Sequence, residues 1–148
     1  MKNYINNTLE QLENDYWKDY NFETNLIKNC HEYRKIKLKD LTVEQIRLLI
    51  GQNIGLKYLI PIALDFLDNN ILCEGDLYEG GLLSNILKVE NEYWLSNYKS
   101  YKILINLFEK NIDYINNFDT IKSIKEELFQ SYNELKEIKK KVRKQAKK

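Results

Sequence analysis

The sequence predicts an all-α protein, a single-domain helical bundle with short N-terminal helices and a long C-terminal helical hairpin, over residues 1–148. Three observations carry that prediction. Apolar residues recur at spacings of three and four along most of the chain, the periodicity of helices with one buried face. Thr8 with Gln11 and Thr42 with Gln45 form Thr-x-x-Gln capping signals, in which hydroxyl and amide side chains satisfy the first free amides of a helix. All the glycine and proline in the chain (Gly51, Gly55, Pro61, Gly75, Gly80 and Gly81) lies between residues 51 and 81, so the tight turns are concentrated there.

A first helix is expected over Thr8 to Tyr16, with Leu9, Leu12 and Tyr16 on its apolar side. A second runs from Thr24 to Ile36 and places Leu26, Ile27, Cys30 and Tyr33 on one face, with Arg34 and Lys35 at the end where the helix dipole favours cations. The third opens at the Thr42–Gln45 box. Leu41 and Ile46 form its hydrophobic staple, Ile46, Leu49 and Ile50 its buried stripe, and Gly51 is expected to stop it in a left-handed cap. A fourth carries Leu59, Ile62, Ala63, Phe66 and Leu67, with Pro61 tolerated if it falls in the first turn. Glu74 to Gly81 reads as a loop before a fifth helix with Leu82, Leu83, Ile86 and Leu87.

The C-terminal half has a longer period of order. Trp94, Tyr98, Tyr101, Ile105, Phe108, Ile112 and Ile115 alternate steps of four and three, which predicts one helix of about 22 residues. After a break near Asn116 to Thr120, Ile121, Leu128, Leu135 and Val142 repeat every seven residues, with Ile124 and Ile138 between them and Ser131 interrupting. The two helices suit an antiparallel hairpin, and the same heptads can also serve a dimer.

The formal charge of +1 divides unevenly. Residues 136–148 hold eight basic side chains and one acidic (+7), leaving 15 basic against 21 acidic (−6) for residues 1–135. An acidic body disfavours phosphate backbones and steers basic proteins, although ordinary solubilising charge is of the same size. The lysine-rich end lacks interleaved aromatics or a recognition motif, so a solvated helix end is expected there rather than a nucleic-acid site. The two cysteines, Cys30 and Cys73, suit a reducing compartment. No apolar stretch approaches ~18 residues and no apolar run follows Lys2, so neither a membrane span nor a signal peptide is expected, and the mature protein is expected to begin at Met1 in the cytoplasm.

Little in the sequence suits catalysis. The one histidine, His31, adjoins Cys30 on a helix, where neighbours point about 100° apart and do not pair as base and nucleophile. Two cysteines and one histidine at these spacings make no structural zinc site. Gly51-Gln-Asn-Ile-Gly55 lacks the signature of a phosphate or dinucleotide loop and reads as a turn. No catalytic residue, metal or cofactor is therefore expected. The acidic residues Asp65, Asp68, Glu74, Asp76 and Glu79 fall within 15 positions and can serve as solvation, as a protein-binding rim or as a carboxylate cluster.

Particular stretches resemble a known family. Leu41-Thr-Val-Glu-Gln-Ile-Arg-Leu-Leu-Ile-Gly-Gln52, then Ile54-Gly55-Leu56, Tyr58-Leu-Ile-Pro61, Glu74-Gly-Asp-Leu-Tyr78 and Leu82-Leu83, resemble the immunity proteins of bacterial contact-dependent growth inhibition systems. Leu9 to Glu13 and Cys30-His31 add to the likeness, which covers roughly residues 8 to 115. The chain departs from the family at Gly81, where an acidic residue is expected, and in the heptad helix from Ile121 onward, an extension covering residues 120–148 with its basic end.

The resemblance implies a non-enzymatic cytoplasmic protein that binds the toxic C-terminal domain of a cognate effector, as a monomer or a one-to-one complex, with a dimer also open, and with no nucleic acid or membrane involved. Asp65, Asp68, Glu74, Asp76 and Glu79, with Tyr78, are the candidate toxin-binding residues. The alternative is a helical adaptor or oligomerisation module acting through the C-terminal heptads.

Overall fold

A computed structural model of the chain describes residues 3–18, 24–73, 80–120 and 122–138. The elements are a 3-10 turn (Asn3–Asn6), α1 (Leu9–Glu13), α2 (Asn25–Tyr33), a second 3-10 turn (Leu38–Asp40), α3 (Val43–Gly51), α4 (Leu56–Asn69), α5 (Gly81–Leu87), α6 (Asn91–Ser96), α7 (Tyr98–Lys110), α8 (Ile112–Asn117) and α9 (Lys122–Lys136). The all-α prediction holds among the described residues.

The caps behave as their chemistry requires. Thr8 Oγ1 accepts from the Gln11 amide at 3.2 Å while Gln11 Oε1 accepts from the Thr8 amide at 3.0 Å; Thr42 and Gln45 repeat the exchange at 3.1 and 2.9 Å. The first helix is shorter than expected because Asn14 turns into the left-handed region (φ 51°) directly after Glu13. Asparagine tolerates that conformation, and the turn carries Tyr16 off the stripe to 60% exposure.

The centre of the fold is α3, α4 and α5 packed on one another. Leu41 and Ile46 are both buried, as a hydrophobic staple demands. Gly51 does not form the left-handed cap; Asn53 (φ 59°) and Gly55 (φ 65°) take those positions. Gly51 instead lets two helices approach, since a Cβ there would lie 2.9 Å from Nδ2 of Asn85, whose amide donates to the Arg47 carbonyl at 2.9 Å. Pro61 is the sixth residue of α4 rather than part of its first turn. Its absent amide leaves the carbonyl of the exposed Lys57 without an intrahelical donor, an arrangement water can complete. Leu59, Ile60, Ala63, Leu64 and Leu67 turn inward, and Ile62 and Phe66 are half-buried. All four predicted apolar residues of α5 are buried.

The predicted 22-residue helix is three helices. Its breaks fall at Asn97 (φ −132°, ψ 54°) and Asn111 (φ −112°, ψ 12°), whose side-chain amides donate to the carbonyls of Tyr93 (2.8 Å) and Leu107 (2.7 Å). Asparagine competes with the backbone for its own carbonyls, which is why it interrupts helices that apolar spacing alone would continue. The seam itself survives the breaks: Trp94, Tyr101, Phe108 and Ile115 are at most 1% exposed.

Helix α9 closes the bundle against α5 and α7, so its heptad seam is used within the chain. Leu128, Tyr132, Leu135 and Ile138 are buried. Phe108 stacks on Tyr132 at 4.1 Å between ring centres and meets Phe129 edge-on at 5.3 Å, while the Tyr101 hydroxyl donates to the Leu135 carbonyl at 3.1 Å. Ile121 and Val142 of the heptad pattern lie outside the described residues.

Candidate functional site

Two clusters of polar residues stand out, one buried and one exposed. The buried one joins α1 to α2. Arg34, expected at the helix end where the dipole favours cations, is only 1% exposed. Its Nη2 donates to Glu13 Oε1 and to the Asp15 carbonyl, each at 2.9 Å, and its guanidinium lies 4.5 Å from the centre of the Trp17 ring. The same ring lies 6.2 Å from His31, which is 3% exposed. The buried face of α2 is thus Cys30, His31 and Arg34, whereas Leu26 and Ile27, expected inside, are 37% and 42% exposed.

This cluster pins structure together and is ill suited to chemistry. Burial pushes the Cys30 thiol up from its ordinary value, the reverse of what activates a nucleophile. The guanidinium is committed to a carboxylate, a carbonyl and an aromatic face. Among the described residues, no group of three or more His, Cys, Asp or Glu side chains is placed to hold a metal ion.

The exposed cluster lies where α4 meets α7 and α8. Asp65 and Asp68, one turn apart, both stand on the solvent face of α4, as the sequence predicts. Asp68 Oδ1 lies 3.3 Å from Lys110 Nζ at the end of α7, an exposed pair worth about 0–1 kcal/mol that an incoming cation can displace. Two shallow depressions share Asp68 as a rim. One, of ≈ 300 Å³, lies between Pro61, Leu64 and Asp65 on α4 and Ser100, Ile103 and Leu107 on α7. The other, of ≈ 320 Å³, lies between Asn69, Asn70 and Ile71 and the pair Asn111 and Tyr114.

Ile103 and Tyr114 flank the ridge with 42% and 48% of their surface exposed. The face therefore combines carboxylates with large apolar side chains facing water, the composition of a protein-docking surface with a polar rim. The sequence reading missed both residues. Their signal was nevertheless present, because Ile103 and Tyr114 fall off the seam formed by Tyr101, Ile105, Phe108, Ile112 and Ile115 and so are apolar residues on the polar side of their helices. Of the other candidates, Glu74, Asp76, Tyr78 and Glu79 lie outside the described residues.

No helix among the described residues is long and apolar enough to cross a membrane. A family model for CDI immunity proteins matches residues 11–104, from α1 into α7. That stretch includes Asp65, Asp68 and Ile103, whereas α8 and α9 lie beyond it. No curated protein and no solved structure matches the chain.

Proposed function

The chain belongs to the CDI immunity proteins, a toxin-neutralising family, and from that premise we propose how it acts: it binds the C-terminal toxin domain of its cognate effector and covers the active site or the surface through which substrate reaches it. The single observation that carries this reading is the Asp65–Asp68 ridge of α4, with Ile103 and Tyr114 exposed beside it. Carboxylates on an acidic body speed encounter with a basic partner, and the apolar side chains supply area to bury once contact is made. Glu74, Asp76, Tyr78 and Glu79, which follow α4 in the chain, complete the proposed binding set. Neutralisation is then a matter of occupancy. The protein acts in the cytoplasm of the protected cell, without a cofactor, as a one-to-one complex with the toxin domain.

An adaptor acting through exposed heptads is less well supported, because Leu128, Leu135 and Ile138 are already buried within the chain.

The test is co-expression with the terminal domain of the cognate effector. Cells carrying the wild-type protein are expected to survive, and the double reversal Asp65→Lys with Asp68→Lys should weaken binding roughly tenfold or more and forfeit protection. Equal killing with and without the protein would refute neutralisation of that domain. Full protection by the double variant would move the binding site elsewhere.

A further inference from the structure

We infer that the toxin segment seated on the Asp65–Asp68 ridge carries an apolar side chain beside a lysine or arginine. The apolar side chain enters the groove between α4 and α7, and the cation takes Asp68 in place of Lys110. This deepens the toxin-binding reading and rests on it.

The groove follows from the register of two helices. Pro61, Leu64 and Asp68 share one face of α4, and Ser100, Ile103 and Leu107 step by three and four along the facing side of α7. The ≈ 300 Å³ between them has room for one large side chain. Leu64 and Leu107, each 5% exposed, make its interior apolar, whereas Ile103 on its edge is 42% exposed. An apolar occupant gains by taking Ile103 out of water, and a charged one would be desolvated against leucine without a partner.

The second depression, across Asp68, has a different lining. Asn69, Asn70, Asn111 and the half-exposed Tyr114 offer amides and a phenol ring, and no lining residue is a cation. Asn111 donates through Nδ2 to the Leu107 carbonyl at 2.7 Å, which leaves Oδ1 as its acceptor. A guanidinium or ammonium brings several donors for such oxygens and is attracted to a ring face.

Lys110 shows independently which class of group belongs at Asp68. From the end of α7 its Nζ reaches to 3.3 Å from Asp68 Oδ1, with both side chains more than 60% exposed. The chain thus supplies its own ammonium to this carboxylate, in a pair open enough to be exchanged at little cost. Because the apolar groove and the cation position meet at Asp68, one toxin segment with both kinds of side chain fills them together. An acidic segment would be repelled by Asp65 and Asp68.

The experiment measures, by titration calorimetry, the affinity of the full-length protein for the purified C-terminal toxin domain of its cognate effector. Ser100→Trp, which fills the groove from its edge, should weaken binding about tenfold or more with the thermal midpoint unchanged. Ile103→Ser, at an exposed position that leaves the core intact, should weaken it about threefold to tenfold. Lys110→Gln should tighten binding about twofold to fivefold, because the bridge to Asp68 no longer has to be broken. Lys102→Gln makes the same change of charge on the same helix, at an ammonium that lies over the Tyr98 ring, and should alter affinity less than about twofold.

Wild-type binding accompanied by affinities within about threefold for both Ser100→Trp and Ile103→Ser would overturn the groove while leaving the toxin-binding reading intact. Absence of wild-type binding would instead overturn that reading and this one with it. Weaker binding by Lys110→Gln, or equal tightening by Lys102→Gln, would refute the exchange at Asp68. Two other occupants would also refute the proposal. The chain's own basic end would be revealed by a Ser100→Trp effect that vanishes in a chain lacking residues 139–148, and a second copy by a dimer that Ser100→Trp dissociates.

Discussion

The N-terminal and C-terminal thirds of the molecule are joined to the same central helices by opposite means. Around α1 and α2 the principal tie is polar: one guanidinium, 1% exposed, gathers Glu13, Asp15 and Trp17. Around α7 and α9 the tie is a layer of rings, with Phe108 between Tyr132 and Phe129 and the Tyr101 hydroxyl on the Leu135 carbonyl. Stacked rings gain from burial at every contact, whereas a buried cation must first recover what it loses by leaving water. The difference teaches that the aromatic end should contribute most of the stability and the polar end mainly a defined arrangement of the chain.

Truncation at each end tests that contrast. Phe108→Ala should have the largest effect, about 3–5 kcal/mol in urea unfolding, because it opens a cavity beside Tyr132 and Phe129 at a site with no exposure. A loss below about 1 kcal/mol would mean that the ring layer is not what holds α9. Arg34→Met should cost less, about 1–2 kcal/mol, because methionine keeps part of the packing and Glu13, 33% exposed, can return to water. The substitution also removes two buried N–H groups, Nε and Nη1, that have no hydrogen-bond partner among the described residues. Should Arg34→Met prove as damaging as Phe108→Ala, the proposed division between the two ends would fail.

The smallest effect is expected where the ends meet. Tyr93 of α6 reaches within 3.5 Å of the Leu56 carbonyl, and burial, with the phenol of Tyr4 as the lesser cause, pushes it up to about 12. Between pH 10 and about 12 the unfolded chain therefore gives up the Tyr93 proton that the folded chain keeps, so the contribution of Tyr93 to stability is constant below that window and falls as pH rises through it. Tyr93→Phe should make the alkaline decline shallower while leaving its shape near neutrality unchanged. An unaltered slope in thermal unfolding would mean that Tyr93 is not kept protonated by the fold.

The same contrast explains what could be read from the sequence. The stripes of α3, α4, α5 and α9 were legible because apolar spacing reports burial, and the boxes at Thr8 and Thr42 because two side chains at fixed separation announce a cap. Periodicity gave no sign that Arg34 is buried, since its partners Glu13 and Asp15 lie about 20 residues away and an arginine near a helix end has a simpler explanation. The breaks at Asn97 and Asn111 were written in the sequence but outweighed by a seam that continues through them. In the candidate site, Asp65 and Asp68 followed from the polar face of α4, while Ile103 and Tyr114 became apparent only once their helices were placed against it.

Neutralisation by occupancy has a direct signature. Purified toxin domain, titrated with this protein and assayed for its own activity, should lose activity in proportion to the protein added and reach its floor at one equivalent, with active toxin recovered when the complex is dissociated. Complete and irreversible loss at a small fraction of an equivalent would mean that the protein alters the toxin catalytically, and would contradict the account.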